Sequence, residues 1–234
     1  CTNEGDIFEH AETAAAKYSG SVIKIMARGA AGTGIKPGWN DFDAGVDSAS
    51  DSLERYDTSK NDLILLYFTS GTTGQPKMVV HDETYSLGHI VTAKHWQNVD
   101  PDGLHLTFSE TGWAKAVWGK IYGQWLMEAG IFVYDFDKFT PVDLLPLFEK
   151  YKITTFCAPP TVFRFLIKED LTRFDLSSLE YVAIAGEALN PEVYNQFLAA
   201  TGIKLMEGFG QTETALLIAN LRGMTPKPGS MGKP

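Results

Sequence analysis

The stretch Ile153-Thr154-Thr155-Phe156-Cys157-Ala158-Pro159-Pro160-Thr161-Val162-Phe163-Arg164-Phe165-Leu166 begins as an apolar run, meets two prolines and continues as a mixed apolar and polar run. Residues 153–158 are predicted as a strand and 161–168 as a helix. The same alternation extends to both sides. Strands are predicted at 130–134, 181–185, 204–209 and 215–221, and helices at 141–150 and 191–201. Pro141 opens its helix where a missing N–H does no harm, and Asn190 fits a cap. Strands alternating with helices from Gly130 onward imply an α/β fold with mixed, largely parallel sheets and crossover helices. In such sheets ligands sit beyond the carboxyl ends of the strands.

Toward the N-terminus the pattern is looser. A helix is expected at 4–17, a strand at 21–27, a Gly-rich loop at 28–40, a weakly amphipathic helix at 40–55 and a turn at 57–62. A strand follows at 63–68, then helices at 84–97 and 111–126 around a turn at 100–103 and a strand at 104–108. No internal repeat or interdomain linker stands out.

The 234 residues amount to one large domain or two small ones. A formal charge of −9 makes a poor polyanion binder and argues against nucleic acid as a partner. Two cysteines, Cys1 and Cys157, make no disulfide framework, and Cys157, inside an apolar run, is expected as a buried thiol. The five histidines lack metal-ligand spacing, so no structural zinc is expected. With no apolar run of membrane-span length and no signal-like opening, the expectation is a cytoplasmic protein. The chain opens on Cys1 and stops in a loop at 229–234, which suggests a piece of a longer protein. Nothing in the sequence sets the oligomeric state.

Three loops after strands carry the chemistry. The first lies within Tyr67-Phe68-Thr69-Ser70-Gly71-Thr72-Thr73-Gly74-Gln75-Pro76-Lys77-Met78-Val79-Val80. Gly71 and Gly74 let backbone N–H groups converge, Thr69, Ser70, Thr72 and Thr73 add hydroxyl donors, and Lys77 adds a positive charge, a combination suited to phosphate. Pro76 and Met78 on either side of Lys77 rule out a Walker A loop. An ordinary Gly/Thr hairpin loop fits the same composition.

The second loop is Ala185-Gly186-Glu187-Ala188-Leu189. Its glycine permits close backbone approach to a flat ligand, with Glu187 as an acceptor nearby. On the residues alone a strand-to-helix loop with a solvated glutamate is the better-supported reading. The third is Glu207-Gly208-Phe209-Gly210-Gln211-Thr212-Glu213-Thr214. Phe209 can lie on a base, Thr212 can donate to phosphate, and Glu213 is a hard oxygen ligand of the kind Mg²⁺ prefers. A Gly-rich turn closing a strand is the plain alternative.

Together the three loops, in this order and at this spacing, resemble the adenylate-forming superfamily: acyl-CoA synthetases, adenylation domains of nonribosomal peptide synthetases and firefly-type luciferases. The likeness covers about residue 60 to the end. It includes Thr111-Gly112-Trp113, Ala158-Pro159-Pro160-Thr161 and Lys227-Pro228-Gly229-Ser230-Met231-Gly232, and it leans toward medium-chain acyl-CoA synthetases. The resemblance implies part of the family's large domain over 1–234, and ATP and Mg²⁺ as cofactors with CoA as co-substrate. It implies contacts of Thr69 through Lys77 with the β- and γ-phosphates, of Gly186, Glu187 and Ala188 with the purine, and of Glu207 through Thr212 with the nucleotide. Phe209 stacks on the base where the superfamily often has Tyr. Thr212 takes the α-phosphate, Glu213 the metal, and Lys77, Thr212 and Glu213 form the catalytic set.

On the same grounds Trp113, Gly208 and Gly210 border a small-molecule carboxylic acid. Gly210 stands where acetyl-CoA synthetases carry a pocket-blocking tryptophan. An absent indole makes room for methylenes worth about 0.8 kcal/mol each on burial, so an acid longer than acetate is expected. Three family parts are not found in the chain: a ribose-binding Asp in a Thr-Gly-Asp motif, an arginine near the hinge, and a lysine from a mobile C-terminal domain. The chain by itself is therefore expected to be inactive. Two other readings stay open: an adenylation domain that loads a carrier protein, and a nucleotide-binding module without catalysis.

Overall fold

A computed structural model describes residues 5–27, 34–70, 74–110, 112–136 and 138–234. The chain forms two compact units, Cys1–Asp57 and Thr58–Pro234.

In the first unit, helix α1 (Asp6–Lys17) is followed by strands β1 (Ile25–Met26) and β2 (Asn40–Asp41), paired in parallel, and by helix α2 (Phe42–Ser48). Asp41 caps α2, accepting from the backbone N–H of Asp43 at 3.0 Å and of Ala44 at 3.3 Å. Glu12 on α1 accepts from Lys24 Nζ at 2.8 Å and from Trp39 Nε1 at 2.6 Å. The strand expected at 21–27 shrinks to Ile25–Met26, and the helix expected at 40–55 ends at Ser48. Beyond Ser48 the chain is polar, and Leu53 and Tyr56 are exposed, so no apolar stripe continues the helix.

The second unit begins with an antiparallel hairpin, β3 (Leu63–Thr69) and β4 (Lys77–Asp82), in which Thr69 pairs with Lys77 and Phe68 with Met78. Helix α3 (Thr84–Val91) runs into a π-helical turn at Thr92–Trp96. Strand β5 (Leu104–Thr107) leads to α4 (Ala114–Val117), a second π-helical turn at Trp118–Tyr122, and α5 (Gly123–Leu126). The two helices expected to be continuous at 84–97 and 111–126 thus each contain a π turn. Such turns are often found at functional sites, and here Thr92, Trp96 and Trp118 border the cavity described below.

After β6 (Gly130–Ile131) come α6 (Pro141–Tyr151), β7 (Thr155–Ala158), α7 (Pro160–Leu166), β8 (Tyr181–Ile184), α8 (Pro191–Thr201), β9 (Leu205–Gly210) and β10 (Leu216–Ala219). The strand expected at 130–134 stops early: Ile131 faces His105, the last pair with β5, and Val133 is exposed.

Six strands form one sheet in the order β10-β9-β8-β7-β5-β6, parallel except for the β9–β10 pair. This is the mixed, largely parallel sheet the alternation implies. The chain steps outward from β5 to β6 and then back across to β7, so the strand order reverses between β5 and β7. At such a reversal a crevice opens at the carboxyl edge. Strand alternation sorts the core into two faces. Phe156, Ala158, Val182 and Ile184 pack with Leu144, Phe148, Phe163 and Phe197 from α6, α7 and α8. Cys157, Ala183 and Ala185 pack against Trp96 on the other face, and Cys157 is a buried free thiol as expected. No helix among the described residues is long and apolar enough to cross a membrane.

Candidate active site

A cavity of about 350 Å³ lies at the carboxyl edge of the sheet in the second unit. All three loops singled out in the sequence reach it. The hairpin contributes Thr69 and Ser70, the loop after β8 contributes Gly186, and the loop after β9 contributes Gly210, Gln211 and Thr212. Gly112 and Trp113 border it from the segment after β5.

Not every residue of the three loops faces the cavity. Gly71, Thr72 and Thr73, three of the phosphate donors read in the sequence, lie outside the described residues. Gly74 takes a left-handed φ of 81°, and Gly74, Gln75, Pro76 and Lys77 are exposed beyond the cavity wall. The hairpin is tied to the third loop at one point. His81 Nε2 stands 2.6 Å from the backbone oxygen of Thr212. A carbonyl only accepts, so this nitrogen carries the proton. The His81 ring also stacks on Tyr85 at 3.7 Å.

Gly186 has a φ of 114°, which a side chain would strain. A neighbour missed by the sequence reading explains how its loop is fixed. Lys115, buried to 5 % exposure, donates from Nζ to the backbone oxygen of Ala185 at 2.5 Å. Burial lowers its pKa, with Cys157 and Glu187 acting the other way. Its position near the start of the aromatic segment at 113–125 was the one available signal, since a lysine in such a run must find a partner.

Glu187 is not a free acceptor. It accepts from Thr161 Oγ1 at 2.6 Å and from Arg164 Nη2 at 3.0 Å. The hydrogen bond from Thr161, with Arg164 beside it, holds its carboxyl below the usual range. Ala188 is exposed and off the cavity wall.

In the third loop alternate residues diverge. Glu207 is buried, and its Oε1 accepts from the backbone N–H of Leu189 at 3.0 Å. Burial pushes its carboxyl pKa up, partly offset by that bond. Gly208 lies against Trp96: a Cβ there would be 2.6 Å from the indole, whose Nε1 donates to the backbone oxygen of Met206 at 2.9 Å. Phe209 is half-buried in strand pairing with Ile218. Gly210 does border the cavity, and a Cβ on it would stand 2.7 Å from the backbone oxygen of Ala215. A side chain at this position therefore also requires the 211–215 turn to move. That turn is closed by Thr214, whose Oγ1 accepts from the Gln211 N–H at 3.1 Å. Glu213 is exposed and has no side-chain partner among the described residues.

The deep wall of the cavity was not read from the sequence. It is built by Tyr67, His89, Thr92, Trp96 and Trp118. His89 stacks nearly parallel to Trp118 at 5.8 Å, and its Nδ1 is 3.1 Å from Thr92 Oγ1. Tyr85 and His89, four apart on α3, share one helix face. That aromatic and polar pair at helical spacing was the legible trace.

The chain matches the family model described as AMP-binding enzyme over residues 7–234. It is 40% identical over 200 residues to the acyl-coenzyme A synthetase ACSM3, mitochondrial, of Rattus norvegicus, covering 85% of this chain and 34% of that protein. It is 40% identical over 199 residues to the mitochondrial acyl-coenzyme A synthetase ACSM5 of Homo sapiens, again 85% and 34%. The chain thus spans about a third of the length of the curated relatives it matches. Its fold is that of the anthranilate CoA ligase AuaEII, solved with anthranoyl-AMP, at a TM-score of 0.85 and 23% identity over 97% of this chain and 44% of that one. It is also that of a Brucella canis acyl-CoA synthetase, at 0.80 and 24% over 96% and 45%. The cytoplasmic expectation is overturned by these relatives, which are mitochondrial proteins. Composition and the lack of a long apolar run carry no information on which compartment a protein occupies.

Proposed function

The chain belongs to the AMP-binding enzyme family, and from that premise we propose that the whole protein activates a carboxylic acid with ATP and passes the acyl group to the thiol of CoA. In the first step a carboxylate oxygen attacks the α-phosphorus, and the bond to pyrophosphate breaks. In the second, the CoA sulfur attacks the acyl carbonyl and AMP leaves. The observation that supports this reading most is the convergence of Thr69, Ser70, Gly186, Gln211 and Thr212 on one cavity. Phosphate donors, a wall fit for a flat base and a hydroxyl between them are the parts that adenylation needs.

The first step brings anions together, so catalysis rests on positioning and charge neutralisation. The hairpin loop from Thr69 to Lys77 receives the β- and γ-phosphates. Gly186 offers its backbone to the purine, while Glu187, held by Thr161 and Arg164, fixes the loop that approaches it. Phe209 and Thr212 serve the base and the α-phosphate. Each well-aimed donor in a dry site contributes about 3–4 kcal/mol to the transition state. Glu213, an exposed carboxylate free of side-chain partners among the described residues, is chemically suited to hold Mg²⁺. Bound there, the ion would offset phosphate charge.

The acid is longer than acetate, since Gly210 leaves the cavity wall beside it without a side chain, and a medium-chain acid fits. Residues 1–234 are a central part of the large adenylation domain. The decisive measurement is acid-dependent ATP–pyrophosphate exchange by the full-length protein, followed by transfer to free CoA. Exchange with hexanoate or octanoate above acetate is the expected result. No exchange with any carboxylic acid overturns the reading, as would robust acyl-adenylate formation by the 234-residue chain alone for the proposed division of labour.

A further inference from the structure

The deep wall of the cavity holds two polar atoms without partners. His89 is 1 % exposed and borders the cavity. Its Nδ1 is engaged by Thr92 Oγ1, but its Nε2 is buried with no hydrogen-bond partner among the described residues. The hydroxyl of Tyr67, on the same cavity, is buried and unpartnered in the same way. Buried polar groups are nearly always satisfied, and each exception asks for a cause. The chain provides its own contrast in His105, which is as deeply buried but has both ring nitrogens engaged, by Thr155 at 2.7 Å and Thr107 at 2.8 Å. His105 is a satisfied core histidine, whereas His89 keeps one nitrogen unpaired on a cavity wall.

For a plain alkyl tail this arrangement is poor. The rest of that wall is Thr92, whose hydroxyl is engaged with His89 Nδ1, and the indoles of Trp96 and Trp118, and a leucine at 89 would match an aliphatic chain without leaving a nitrogen unpaired. We infer that His89 is a specificity-determining residue that hydrogen-bonds a hydroxyl on the tail of the acid, so that the preferred substrate is a hydroxylated carboxylic acid. The inference rests on the acid-activating reading above. Burial, with His81 nearby, pushes the His89 pKa down to about 4, so the ring is neutral at physiological pH. A neutral imidazole suits a hydroxyl, which can donate or accept and thus serves either tautomer. It does not suit an anionic tail. Tyr67 brings a second unpartnered hydroxyl to the same cavity.

The test uses the full-length protein and two matched series in ATP–pyrophosphate exchange. One compares hexanoate with 4-, 5- and 6-hydroxyhexanoate, the other 3-phenylpropanoate with 3-(4-hydroxyphenyl)propanoate. At least one hydroxylated acid is expected to exceed its parent by tenfold or more in kcat/KM. Sites built to hydrogen-bond a substrate hydroxyl reject the analogue lacking it. His89→Phe keeps a flat ring beside Trp118 and is expected to bring that ratio to about one, a ratio in which any general loss of activity on both acids cancels. His89→Gln, which retains a polar end, is expected to keep part of the preference, and the wild-type panel stands alone if neither variant folds. A wild-type enzyme that prefers the plain acids in both series overturns the inference, as does a ratio unchanged in His89→Phe. No exchange with any acid would instead overturn the acid-activating reading.

Discussion

His81 on β4 donates from Nε2 to the backbone oxygen of Thr212 across 2.6 Å, although 131 residues separate them. This bond is where the hairpin proposed to hold the outer phosphates meets the loop proposed to hold the α-phosphate. Its removal frees Thr212 to drift relative to Thr69 and Ser70. A hydrogen bond of this kind contributes about 1 kcal/mol, a factor of roughly five to ten. His81→Ala is therefore expected to lower kcat/KM for ATP in exchange by about that factor. Rates equal to wild type would show that the two loops are held in place by other contacts.

Glu207 is the case where a residue read as a nucleotide contact has a partner inside the protein. Its carboxylate accepts from the Leu189 N–H at 3.0 Å and so pins the loop that carries Gly186. Glu207→Ala leaves that buried N–H unpaired, at about 1–3 kcal/mol, and is expected to lower Tm by several degrees. Glu207→Gln keeps an acceptor and removes a desolvated charge. It is expected to match or exceed wild-type stability. Thermal melts of the three proteins at neutral pH distinguish them, and equal destabilisation by both substitutions would count against a positioning role.

The same residue shows what could be read from the sequence and what could not. The alternation around 153–166 was enough for the sheet, because each strand's apolar run and each helix's start leave local marks such as Pro141 and Asn190. The site needed more than adjacency. Glu207 and Gly208 are neighbours in the motif, but a strand sends successive side chains to opposite faces. Gly208 meets Trp96 while Glu207 turns toward Leu189. Lys115 and His89 were missed because their significance depends on partners in other elements. Lys115 acts on Ala185, 70 residues away, and the role proposed for His89 depends on the two π turns that carry Thr92 and Trp118. A motif marks the loops that reach the cavity, and tertiary packing decides which of their atoms face it.

His105 makes the stability of the second unit sensitive to acid. Complete burial pushes its pKa down to about 3, against the smaller opposing effect of a hydrogen bond with the Gly119 backbone. The folded state thus keeps the ring neutral, while the unfolded chain protonates it near pH 6.5. As pH falls below that value the unfolded state binds the extra proton, so stability is lost between about 6.5 and 3, by up to ~1.4 kcal/mol per pH unit. Above pH 7 the group has no effect. His105→Asn keeps a polar group near the position of Nδ1, which meets Thr155, but does not titrate. Urea denaturation at pH 7, 6, 5 and 4.5 is expected to show a shallower fall for the variant. Parallel curves would mean that His105 is not the group responsible.

Gly208 separates the proposed roles of the two glycines in the third loop. A methyl on Gly208 would sit 2.6 Å from the Trp96 indole, which cannot retreat easily because its Nε1 is bonded to the Met206 backbone oxygen at 2.9 Å and the ring is fully buried. Overpacking of this kind costs about 1–3 kcal/mol. Gly208→Ala is expected to lower Tm and to slow exchange with every acid alike, since the strain falls on the wall and not on one part of the substrate. Gly210→Ala borders the cavity directly and presses on the Ala215 backbone oxygen instead. Its expected effect grows with acid length, so the ratio of octanoate to butyrate kcat/KM falls in Gly210→Ala but not in Gly208→Ala. A length-dependent loss in Gly208→Ala would return that residue to the substrate wall, where the sequence first put it.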